Sequence, residues 1–132
     1  MTSSQIAAAV KDRAAGRCEY CRMHQSLQGA TFHVEHILPT AKGGLTELAN
    51  LAWACPGCNL KKSDHTEVID PMTGQIVRLF DPRRDVWSEH FSFEEFQIVP
   101  LTSIGRAMVE AFDLNHLRRQ RIRRAEQLFG LF

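Results

Sequence analysis

Two Cys-x-x-Cys pairs, Cys18–Glu19–Tyr20–Cys21 and Cys55–Pro56–Gly57–Cys58, bracket the part of this 132-residue chain richest in chemistry. Between them lies His33–Val34–Glu35–His36, and Asn59 follows the last cysteine directly. Thiolates are soft ligands, and two such turns can close a tetrahedral site of the kind that holds a structural zinc. An imidazole beside a carboxylate and an amide oxygen suits different work: proton transfer next to a hard divalent cation. The same four cysteines could instead be two disulfides in a secreted chain, four buried free thiols or two redox pairs. The 33 residues between Cys21 and Cys55 exceed the usual zinc-ribbon spacing, so an ion here would clamp a long excursion.

The elements that must position these groups follow from periodicity and turn residues. Ser3 or Ser4 is expected to cap a helix through about Ala15, with Gly16 as its stop. Thr31 to Leu38 alternates as a strand, with Phe32, Val34 and His36 on one face and His33 and Glu35 on the other; Pro39 ends it. Gly43–Gly44 marks a turn in the loop 41–48, and Leu51 to Ala54 forms a short apolar strand. A brief helix is expected from Asn59 to about Ser63. Farther along, Asp70 to Gly74 reads as a tight turn and Gln75 to Phe80 as extended. Glu89 to Phe93 and Gln97 to Leu101 read as a hairpin with its turn near Glu94–Glu95. Ser103 to Phe112 reads as a helix, and a last helix starts at Asp113 or Asn115 and runs to about Phe129. The expected organisation is an N-terminal helix over 1–16, a core with the cysteine turns over 17–66, and a C-terminal hairpin with helices over 67–132.

Composition narrows the field. The formal net charge is +1, so bulk charge does not announce a nucleic-acid binder. Locally, Leu117 to Arg124 holds five arginines (Arg118, Arg119, Arg121, Arg123 and Arg124) and no acid. Such a block is either a solvated helix face or a phosphate-binding stripe. No signal peptide, transmembrane run or glycosylation sequon is visible, which points to a cytoplasmic, reduced chain with no membrane partner. Phosphate-loop, His-Glu-x-x-His and nucleophile-elbow motifs are absent.

The ordered set Val34–Glu35–His36–Ile37–Leu38–Pro39, Gly43–Gly44, Asn50–Leu51, and Cys55 to Asn59 with Lys62 resembles the HNH endonucleases. The resemblance covers roughly residues 17–64. It implies an α+β chain whose ββα-metal core is stapled by a four-cysteine zinc site, followed here by the hairpin and helical tail. It also implies roles. His36 would be the general base, and Asn50 would pin the loop and orient it. Glu35 and Asn59 would bind a catalytic Mg²⁺ or Mn²⁺, with Ni²⁺ a further candidate. Asn59 stands where many members have histidine. Lys62, or less so Lys61, would stabilise phosphate charge. His33, two residues before Glu35, is a third ligand, a phosphate contact or a surface histidine. The implied activity is metal-dependent hydrolysis of DNA phosphodiester bonds, leaving 5′-phosphate and 3′-hydroxyl ends. The alternative is a non-catalytic zinc module that binds nucleic acid; a thiol redox protein is a distant third. The stretches Asp70 to Gly74, Leu79 to Arg83 and Trp87 to Phe91 resemble a tail found behind many bacterial HNH domains. There Trp87, Phe91 and Phe93 are expected to be core rather than base-stacking groups.

Overall fold

A computed structural model describes all 132 residues, which fold as two compact units, Met1–Asp64 and His65–Phe132.

The first unit opens with α1 (Ser3–Arg13). Its cap is Thr2 rather than Ser3 or Ser4, because Gln5 completes a reciprocal box. The Gln5 amide donates to Thr2 Oγ1 at 3.1 Å, and the Thr2 amide donates to Gln5 Oε1 at 2.8 Å. Arg13 at the helix end donates to the carbonyls of Leu48 (2.8 Å) and Leu51 (2.6 Å) and so fixes α1 to the segment entering the second strand. That strand, β2 (Leu51–Ala54), pairs antiparallel with β1 (His33–His36); Glu35 faces Ala52 in the register and His36 faces Leu51. β1 is half as long as the alternation suggests, because beyond His36 the Asn50 segment takes over its bonds. The Ile37 amide donates to the Asn50 carbonyl at 2.9 Å and the Leu38 amide to Asn50 Oδ1 at 2.9 Å. β2 is buried along its whole length.

The helix α2 (Pro56–Lys62) starts earlier than Asn59. Cys55 is its N-cap, with Sγ accepting from the Cys58 amide at 3.3 Å, and Pro56 fits the first turn, where its missing N–H costs nothing. The second cysteine turn is therefore also the first turn of a helix. Asn59 follows one turn from the cap.

In the second unit β3 (Glu67–Ile69) and β4 (Ile76–Arg78) pair antiparallel, then a turn of helix α3 (Trp87–His90) leads into β5 (Phe91–Glu94) and its antiparallel partner β6 (Gln97–Pro100). The helices α4 (Ser103–Ala111) and α5 (Leu117–Leu128) follow. Buried Asp70, at the β3–β4 turn, accepts from Met72, Thr73 and the Arg106 guanidinium of α4; that guanidinium draws its carboxyl down to about 2. Trp87 packs on Phe91 and Phe93 with ring centroids 5.0 and 5.1 Å apart, and Phe132 returns onto Phe93 at 4.8 Å. Asn115 does not cap α5. Its side chain bonds both the amide and the carbonyl of Ile98, and His116 caps the helix by accepting from the Arg118 amide. No helix is long and apolar enough to cross a membrane.

Candidate active site and metal centre

Cys18, Cys21, Cys55 and Cys58 are all buried, and their sulfurs lie within 4.8 Å of one another. The Cys21 and Cys55 sulfurs are 3.7 Å apart. Four sulfurs at about 2.3 Å from a central zinc would stand roughly 3.8 Å from each other, so the cluster has the size of a tetrahedral site. Without an ion the set is ill at ease. Burial pushes the Cys18 and Cys58 thiols well up, while hydrogen bonds from Cys18, Cys21 and Cys58 draw Cys55 down. A dication resolves that conflict by making thiolates of all of them. The donor set therefore fits a structural zinc.

The two residues inside the first knuckle reach both strands. Glu19 accepts from the Trp53 amide at 2.8 Å, and its own amide donates to the Trp53 carbonyl at 2.8 Å. Tyr20, fully buried, donates its phenol hydrogen to Glu35 Oε2 at 2.7 Å.

Glu35 is 5% exposed, and its Oε1 sits 2.5 Å from Lys62 Nζ. Burial pushes its carboxyl up, against the pull of Lys62 and Tyr20. Lys62 is 1% exposed and also donates to the carbonyls of His36 (3.1 Å) and Ile37 (2.9 Å). An ammonium has three donors, and these three acceptors use them. The expected contact between Lys62 and a phosphate does not fit this burial; Lys62 is a strut under β1. Lys61 is exposed.

His36 is half-buried, with Nε2 2.9 Å from Thr46 Oγ1. Asn50 holds the intervening loop closed: besides accepting from Leu38, its amide donates to the carbonyls of Leu38 (3.0 Å) and Leu45 (2.9 Å). Gly44 passes so close that a Cβ there would lie 1.7 Å from the Leu38 carbonyl oxygen. A cavity of about 320 Å³ is lined by Glu35, His36, Asn59 and Asp64 among others, and it opens to solvent. His33 is exposed and does not line it.

Residues 18–65 match the HNH endonuclease family. The match spans both knuckles, β1, β2 and α2, and ends at the first residue of the second unit. No curated protein and no solved structure matches the chain. An HNH segment points to a nuclease acting on nucleic acid, and its clustered cysteines could bind zinc.

The arginine block divides. Arg119 and Arg123 are buried; Arg119 donates to the Phe112 carbonyl, and Arg123 to those of Phe96 and Leu114. They fasten α5 within its unit and are not available to DNA. Arg118, Arg121 and Arg124 are exposed, with Arg124 over the Phe96 ring at 5.3 Å. Tyr20 and Thr46 were not legible as site residues. Their partners stand 15 and 10 positions away, and no motif spacing links them.

Proposed function

We propose that this protein is a metal-dependent DNA endonuclease that hydrolyses phosphodiester bonds. The observation that carries the reading is the convergence of His36, Glu35 and Asn59 on one open cavity within the HNH segment. Glu35 and Asn59 supply a carboxylate and an amide oxygen. Mg²⁺ and Mn²⁺ favour such hard donors and commonly take only one or two carboxylates, leaving other positions to water and phosphate. These residues fit such an ion. When bound, it supplies positive charge against the scissile phosphate and the departing oxygen.

The chain's own groups do the rest. With His36 Nε2 engaged by the Thr46 hydroxyl, Nδ1 is the ring nitrogen left to take a proton from water. That water attacks phosphorus, the bond from phosphorus to the 3′ oxygen breaks, and the 3′ oxygen collects a proton from solvent. The products carry 5′-phosphate and 3′-hydroxyl ends. Asn50 keeps the loop between Leu38 and Leu45 in place and with it the Thr46 hydroxyl. Lys62 holds Glu35 and the His36 backbone as one piece. Arg118, Arg121 and Arg124 add affinity for the phosphate backbone without reading sequence.

Plasmid cleavage tests this. Wild type should convert supercoiled DNA to open-circle or linear form only when Mg²⁺, Mn²⁺ or Ni²⁺ is added, and His36→Ala should lose at least about a hundredfold in rate. DNA binding by both proteins with cleavage by neither would replace the nuclease with a non-catalytic nucleic-acid-binding module. Equal cleavage by both would remove His36 from the mechanism.

A further inference from the structure

The first knuckle does more than hold two sulfurs. Tyr20 lies between two zinc-ligand cysteines, so its backbone is set by the ion, yet its hydroxyl ends on Glu35 in the middle of β1. The carboxylate is gripped at both oxygens, Oε1 by Lys62 and Oε2 by Tyr20. Lys62 is fastened to the carbonyls of His36 and Ile37 and therefore moves with β1. Tyr20 is the grip that comes from the knuckle. With both in place the plane of the carboxylate is fixed, and each oxygen keeps a further lone pair for a cation. With Tyr20 gone the carboxylate pivots about Lys62.

We propose that Tyr20 is a positioning residue for the catalytic cation, carrying the geometry of the zinc knuckle to Glu35, so that the state of the structural metal sets the affinity of the second ion. The inference rests on Glu35 being a ligand of that ion, as in the nuclease reading. Outer groups that orient a ligand commonly change metal affinity by about 10–100-fold when removed.

The test uses the zinc-loaded chain without DNA. Mn²⁺ is titrated into wild type, Tyr20→Phe and Glu35→Ala, free Mn²⁺ is read by electron paramagnetic resonance, and zinc content is measured in each. Phenylalanine preserves the buried ring and deletes only the donor. The expected result is one zinc per chain in Tyr20→Phe with a Mn²⁺ Kd raised about tenfold, and a larger loss in Glu35→Ala. Unchanged Mn²⁺ binding in zinc-replete Tyr20→Phe, with binding lost in Glu35→Ala, would overturn the coupling and leave the nuclease reading standing. Unchanged binding in Glu35→Ala would overturn both.

A second measurement needs no substitution. Tyr20 is the chain's single tyrosine, so biosynthetic 3-fluorotyrosine gives one ¹⁹F resonance. Saturable movement of that resonance as Mg²⁺ is added is expected, and its absence in Glu35→Ala as well. A resonance that ignores Mg²⁺ in otherwise wild-type protein would overturn the proposal.

Discussion

Lys62 shows how burial redefines a residue whose type alone suggests the opposite role. A lysine three positions past Asn59 reads as a phosphate contact, but a side chain 1% exposed with its donors on Glu35, His36 and Ile37 has none left for substrate. His36 and Asn59, by contrast, both line the open cavity, and each lies in or beside an element that the sequence marks strongly. The groups that escaped sequence reading act across loops. Thr46 is one, and its single bond to His36 Nε2 sets which ring nitrogen is free. Thr46→Val should lower the cleavage rate about fivefold to tenfold, the worth of one lost hydrogen bond, without changing affinity for DNA. Single-turnover rates beside equilibrium binding would check it, and an unchanged rate would deny Thr46 its orienting role.

At the level of elements, Pro39, the Gly43–Gly44 pair and the apolar run Leu51–Ala54 made the strand–loop–strand order readable. The ends were harder. β1 stops at His36 because the Asn50 side chain, not another strand, satisfies Leu38. α3 was hidden because one helical turn ahead of a strand leaves no periodic trace, and β3, three residues long, is too short to alternate. The loop between the strands depends on Gly44, whose missing side chain lets the Leu38 carbonyl approach. Gly44→Ala must push that carbonyl away and break its bond with Asn50. A loss of about 2–3 kcal/mol is expected, read as an earlier urea midpoint, together with faster amide exchange at Leu38. An unchanged Leu38 exchange rate would show that the loop adapts more readily than its geometry implies.

Two expectations belong to the whole molecule. The four cysteines join the start of the first unit to its last helix, so chelation should unfold residues 1–64 while the second unit keeps its structure. Release of one zinc per chain, followed alongside amide resonances of each unit, decides the matter; loss of both units together would mean that they fold as one. On the second unit, replacing Arg118, Arg121 and Arg124 by alanine should weaken DNA binding uniformly across sequences. The slope of log K against log salt should fall by about 2 to 3. The exposed arginines and the buried pair Arg119 and Arg123 share one sequence block, and only packing tells them apart. An intact salt slope in the triple variant would assign DNA contact to other cations.

The order of the ligands along the chain bears on synthesis as well. Cys18 and Cys21 are made before their partners Cys55 and Cys58, which come 34 and 37 positions after Cys21, and Lys62, the counter-charge of Glu35, comes later still. Until then the nascent first unit has half its cysteine cluster, one strand without its mate and a carboxylate without its ammonium. Domains are generally completed as units during translation, and closing a loop of this length is an entropic cost met only when its far end arrives. The first unit thus cannot complete its cysteine cluster or its Glu35–Lys62 pair until nearly all of residues 1–64 have been made.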